Sequence, residues 1–334
     1  MKKLTSILFA LILVVSVFSG CTQTTSTKEN LKEVVMSTEN EKVTLGEFRF
    51  HIENIKAEIT QGQPEEQLTE FWETERDGVK AEDFIRDEAI ESYTRTLTIV
   101  ETARKNGISI SDTEVNAELS KIIPLTEQKS VADRYKTDVD SIKAYFRKQL
   151  LVQKYAATLE GDPRMQPSEE ELKAIFTEKY FKAQHILKMT VTEDGQTPLP
   201  AEEVAEKKKE IEEILVLAKA PNQNFQELML EKTEDTGTMQ QPDGYVFTEG
   251  TMVPEFQDTT MALKENEISD IVETTFGYHI IKRLPLDMDI DFQDQLEAVT
   301  NMYKNTKGEE IIEELMPTVS VEKNDAVISE MAIR

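Results

Sequence analysis

The heptapeptide GDPRMQP at residues 161–167 constrains the fold of this chain more than any other stretch. Gly161 opens a turn, and neither Pro163 nor Pro167 can sit inside a helix, so no regular element runs through it. Upstream, apolar residues recur at the three- and four-residue spacing of helices. Downstream, one further helix opens at Ser168, and from Phe181 β-compatible runs take over. A chain of 334 residues accommodates about two domains, and we place the boundary at 177/178.

The first region, residues 33–177, reads as helical apart from a short strand at Val34–Met36. Thr44-x-x-Glu47, Ser111-x-x-Glu114 and Ser168-x-x-Glu171 are capping-box patterns, in which two orphan backbone donors are satisfied reciprocally. Phe48, Ile52, Ile55 and Ile59 form one stripe, with His51 beside it as a partly buried interface residue. Ile85, Ala89, Tyr93, Leu97, Val100 and Ala103 line a helix over 81–105 that stops at Asn106-Gly107. Another helix spans Val139–Leu159. Trp72, the lone tryptophan, suits either a buried anchor or a binding groove.

The second region, residues 178–287, alternates strands and helices. FKAQHILKMTV is a strand with His185 on one side and Ile186 on the other; ISDIVET and GYHIIKRLPL are later strands, and short helices lie between. This is an α+β pattern, helices surrounding an antiparallel-rich sheet. Residues 288–334 add an acidic, solvated helix start (DMDID), a helix to about Glu314 and a β-like tail, expected to pack on the first region.

At the front, Lys2-Lys3 and the uncharged apolar run Leu4–Gly20 form a signal segment (1–20), ending FSGC at the sole cysteine, Cys21. Residues 21–32 are a polar tether. A single cysteine forbids an intramolecular disulfide. The net charge of −26 excludes nucleic acid as a partner, because phosphate binding needs clustered Lys and Arg. Two histidines and one cysteine give no zinc cluster, and DMDID lacks the spacing of a calcium loop.

By spacing alone, Met252 and Phe256 four residues apart and histidines in apolar strands read as ordinary core. Their order changes that reading. AQHIL, NFQELMLEKTEDTG, FTEGTMVPEF and ETTFGYHIIKRL resemble, in sequence, the successive blocks of the parvulin family of peptidyl-prolyl cis/trans isomerases over about residues 180–286. The resemblance implies that His185 and His279 form the floor of a site, with Thr274 joined to them and Asp235 at a position held by Cys or Asp. It further implies that Met252 and Phe256 hold the proline ring, and that Phe276 stands where a small hydroxyl residue is common. No cofactor is implied. PDGYV departs from the family's Gly-Gly-x-Leu-Gly and puts Gly244 where a pocket-lining Leu is common.

FSGC resembles a bacterial lipobox and implies lipidation of Cys21. With a helical region like that of the chaperone SurA, the whole resembles PrsA-type foldase lipoproteins. The expectation is therefore a lipid-anchored foldase on the extracytoplasmic side of the cell membrane. Its partners would be unfolded or newly translocated secreted proteins carrying X-Pro bonds, and the lipid bilayer; a homodimer stays open. The alternative is a non-catalytic holdase with a degenerate parvulin domain.

Overall fold

The computed structural model describes residues 30–64, 67–76, 78–192, 195 and 197–333. Its contacts group the chain into two units, one ending at Gln166 and resuming at Lys304, the other Pro167–Tyr303. The expected signal segment and Cys21 lie outside the described residues.

The first unit opens with an antiparallel pair, β1 (Val34–Ser37) and β2 (Lys42–Thr44). Then come α1 (Leu45–Ile59), α2 (Thr69–Glu73), the two-residue strands β3 (Glu75–Arg76) and β4 (Val79–Lys80), and α3 (Ala81–Lys105). α4 (Asp112–Ile122), α5 (Gln128–Arg134) and α6 (Val139–Leu159) follow, α5 not having been expected. The stripes of α1 and α3 meet in one core around Phe48, Ile52, Ile85, Tyr93 and Leu97, and Trp72 is buried in it as an anchor.

Ser111 and Glu114 close a full capping box, but Thr44 and Glu47 do not. Thr44 Oγ1 accepts from the Glu47 N–H, while the Glu47 carboxylate takes Lys148 Nζ at 2.8 Å and the Tyr93 hydroxyl at 2.5 Å. The reason is burial. Glu47 is 1% exposed, and a carboxylate out of water needs a charged partner. Burial pushes its carboxyl up, against the pull of Lys148 and Tyr93. His51 is fully inside, edge-on to Tyr93 at 4.7 Å with Nε2 2.9 Å from Ser92 Oγ.

The second unit begins with α7 (Glu169–Lys179), whose capping box from Ser168 is complete. β5 (Tyr180–Met189), α8 (Ala201–Ala218), α9 (Phe225–Lys232), α10 (Thr236–Gln240) and β6 (Tyr245–Thr248) come next. α11 (Pro254–Ala262), β7 (Val272–Thr274), β8 (Gly277–Leu284) and α12 (Asp291–Asp294) follow, and then α13 (Leu296–Leu315), whose residues from Lys304 on group with the first unit. The sheet order is β6-β5-β8-β7, every neighbour antiparallel.

Register decides which side chains share a face. His185 pairs with Ile281 and Leu187 with His279, so both histidines project to the same side as Ala183 and Ile281. On the other side Ile186, Tyr278 and Ile280 are covered by Ile211, Ile214, Phe225 and Met229 of α8 and α9.

Three expectations need correction. Of ISDIVET only Val272–Thr274 is a strand, Ile268 making an isolated bridge to Lys282. DMDID is not wholly solvated: Asp291 is buried and holds Lys182 Nζ at 2.8 Å. The tail is mostly not β. β9 (Glu322–Lys323) pairs with β1, and α14 (Asp325–Glu330) then starts where the Asn324 side chain accepts from the Val327 N–H. Asn324 is a strong cap, which the β-compatible residues around it concealed.

Candidate active site

The antiparallel register places His185 and His279 side by side, ring centroids 5.3 Å apart, under α11. Pro254 starts α11 at its first turn, where a missing N–H costs nothing, and the helix sets Phe256 edge-on to both rings, at 5.2 Å from His185 and 5.7 Å from His279. Met252 and Val253 precede the helix on the same wall. Together they line a cleft of about 1360 Å³ that also takes in Asp235, Tyr245 and Phe276.

The floor is a set of fixed hydrogen bonds. Asp235 caps α10 through the Gly237 N–H, and its other oxygen accepts from Thr238 Oγ1 at 2.7 Å and from the Tyr245 hydroxyl at 3.0 Å. His185 Nε2 lies 3.1 Å from that same oxygen. A carboxylate only accepts, so Nε2 carries the proton of a neutral His185 and Nδ1 is bare. The bond from His185, helped by Thr238 and the Gly237 N–H against the opposing effect of burial, holds the Asp235 carboxyl well below the usual carboxylate range. Asp235 stays charged.

His279 Nε2 is 2.9 Å from Thr274 Oγ1, which also accepts from the Phe276 N–H at 3.1 Å. Burial, and then the neighbouring His185, lower the His279 imidazole to about 3, so it is neutral at ordinary pH. The Nδ1 atoms of both histidines are buried without a protein partner among the described residues.

All the residues expected from sequence converge here: Asp235, His185, Met252, Phe256, Phe276 and His279 line the cleft, and Thr274 stands one hydrogen bond behind His279. Gly244 does not line it. At φ +98° it presses on β5, where a β-carbon would meet the Ala183 carbonyl oxygen at 2.8 Å, so a pocket-lining Leu has no room.

Sequence reasoning missed Tyr245, the next residue. Its ring stacks on His185 at 5.7 Å and 17°, and its hydroxyl reaches Asp235 because Gly237 leaves room; a β-carbon there would sit 2.6 Å away. The available signal was an aromatic at the start of a strand directly after a turn glycine.

The family model of the PPIC-type PPIase domain matches residues 185–284, and that of the SurA-like N-terminal domain matches residues 1–156. The foldase protein PrsA of Caldanaerobacter subterraneus subsp. tengcongensis is 27% identical over 321 residues, covering 94% of this chain and 92% of that protein. The chain is similar over nearly its whole length to PrsA-type foldases. Its second unit carries a parvulin-type peptidyl-prolyl isomerase domain. A second foldase protein PrsA, from Oceanobacillus iheyensis, is 28% identical over 75% of this chain and 83% of that protein. Among solved structures, the peptidylprolyl isomerase PrsA of Bacillus cereus is 19% identical, covers 73% of this chain and 88% of that one, and has a TM-score of 0.33.

The parvulin cleft suits a reaction that makes and breaks no bond. An X-Pro amide has a rotation barrier of about 18–20 kcal/mol from its resonance. A flexible thioether and a flat ring can grip the proline, while a floor of buried imidazoles offers hydrogen-bonding groups to the amide as it twists.

Proposed function

We propose that this foldase acts on X-Pro bonds of newly translocated, secreted chains, from the outer face of the cell membrane, held there by lipid on Cys21. The reading is supported by the lipobox-like FSGC sequence and by the cleft, and one observation carries most of it: the side-by-side histidines with Phe256 above them and Asp235 beneath. Met252 and Phe256 hold the proline ring. His185, His279 and Thr274 orient the amide through fixed tautomers, and Asp235 anchors that chain through His185 and Tyr245 rather than meeting the substrate first. The first unit supplies chaperone binding of unfolded segments.

Isomerisation of a prolyl tetrapeptide, measured for wild type beside His279→Ala and Asp235→Ala, tests the site. We expect each variant to lose tenfold or more in kcat/KM. No catalysis by wild type, together with suppressed aggregation of an unfolded client, would instead establish a holdase. Palmitate labelling that disappears in Cys21→Ser tests the anchor.

A further inference from the structure

The sheet of the second unit has two faces, and the histidines occupy only one. On the other, Ile186 of β5 stands opposite Ile280 of β8, Gln184 opposite Lys282, and Lys182 opposite Leu284. α8 and α9 cover the isoleucine end of this face. Beyond it the cover stops, and the next two pairs form the floor of a cavity of about 890 Å³, a size in the range of ligand sites. Its walls are the start of α9, the loop 240–244 and the stretch 287–295.

Gln184 is only 5% exposed. Its Nε2 donates to the Pro242 carbonyl at 2.7 Å, which leaves Oε1 on the cavity floor with no partner among the described residues. A buried amide oxygen without a donor is unfavourable, so this one calls for a donor from outside. Gln226 repeats the arrangement: its Nε2 donates to the same carbonyl at 2.9 Å, and its Oε1 is unpartnered among the described residues. Free donors stand beside these acceptors. Asn224 spends Oδ1 on the N–H groups of Gln226 and Glu227, leaving Nδ2 open. Lys182 is tied to Asp291, whereas Lys282 Nζ lies 5.8 Å from the centre of the Phe225 ring and has no ion pair among the described residues.

Acceptors and donors side by side match the N–H and C=O groups that an extended peptide presents along its length. A sugar ring finds no open aromatic face at this end, because Phe225 lies under Lys282. The rim then sets the sign of charge. Asp243, Asp287 and Asp294 are exposed around the cavity, against the single unpaired lysine on its floor. That balance attracts Lys and Arg and repels acidic segments.

We propose that this cavity is a second peptide site, on the face of the sheet away from the catalytic cleft, for extended segments that carry Lys or Arg. It goes beyond the isomerase reading and requires no proline in its ligand. A client chain held here is kept at high local concentration beside the cleft.

The probe is a dye-labelled, end-blocked hexapeptide, Lys-Thr-Val-Lys-Thr-Val, titrated into the full chain by fluorescence anisotropy beside its counterpart with Glu in place of Lys. At low salt the lysine peptide is expected to bind about tenfold more tightly than the glutamate one. Gln184→Leu, with Pro242 still held by Gln226, should weaken it about fivefold, as the loss of one hydrogen bond predicts. Asp243→Lys combined with Asp294→Lys, two exposed changes, should invert the preference while turnover of a prolyl tetrapeptide stays at the wild-type value. Absence of binding, displacement of the probe by a prolyl tetrapeptide, or an affinity that neither variant moves overturns the second site. Tight binding of the lysine peptide by a wild type that catalyses nothing would overturn the isomerase reading and leave this site standing.

Discussion

One oxygen of Asp235 serves three side chains, His185, Thr238 and Tyr245. Tyr245→Phe removes one of those donors without emptying the space its ring fills. A net hydrogen bond of this kind is worth about 1 kcal/mol, somewhat more when the acceptor is charged. We expect a fall of that order in urea-unfolding free energy, and a several-fold fall in kcat/KM as His185 loses its stacked neighbour's anchor. Gly244→Leu, which would bring PDGYV nearer the family pattern, should not improve activity. It places a side chain at φ +98° against the Ala183 carbonyl, and a loss of 2 kcal/mol or more in stability is expected, on the order of other strained sites. The histidines and Thr274 were legible in sequence only through the order of blocks around them. Tyr245 was not, because its partner Asp235 is ten residues away across a turn, and its room is made by a glycine on another element.

β5 is paired with β6 only from Tyr180 to Ala183, so its edge beyond that is open. The segment after α9 fills it. Thr233 Oγ1 accepts the N–H groups of both Leu187 and Asp235, the Glu234 N–H bonds to the Leu187 carbonyl, and the Glu234 carboxylate takes the Met189 N–H. This hydrogen-bonded staple delivers Asp235 to His185. Thr233→Val keeps the shape and removes the acceptor, leaving two backbone donors short of a partner; each costs roughly 1–3 kcal/mol. Faster amide exchange at Leu187 and Asp235, with a lower kcat, is the expected result. Elements with a strong local cap or period, such as α3, α6 and α7, were readable residue by residue. The short strand β7 and the helix α14 were not, since both are decided by partners: β7 exists only where β8 runs beside it, and α14 depends on burying Ile328 in the first unit's core.

Each unit of the whole molecule keeps a buried neutral histidine. Burial lowers His51 and His279 alike to about 3. The unfolded chain takes up a proton as pH falls through the ordinary 6.5, whereas the folded chain does so only near 3, so stability is full above pH 6.5 and is lost between these values. At about 1.36 kcal/mol per unit, cooling the pH from 6.5 to 4 should cost roughly 3 kcal/mol for each histidine. Asp235 acts in a lower window: its stabilisation is present above the ordinary 3.8 and lost further down. Urea midpoints measured across pH 4–7 should decline accordingly, and His51→Phe, set among the rings of Phe48, Tyr93 and Tyr145, should remove about half of the slope. The net charge of −26 adds a separate expectation, a Tm that rises as salt screens self-repulsion.

The pairing of β9 with β1, and the entry of Ile328, Met331 and Ile333 into the core around Phe48, set a schedule for the growing polypeptide. The parvulin unit is continuous in sequence and can close as soon as Tyr303 has emerged. The helical unit, begun first, is completed last: its small sheet lacks a strand until Glu322 and Lys323, which follow the parvulin unit, pair with β1. A chain built this way has one unit that closes from a continuous stretch and one that needs a segment lying beyond the other.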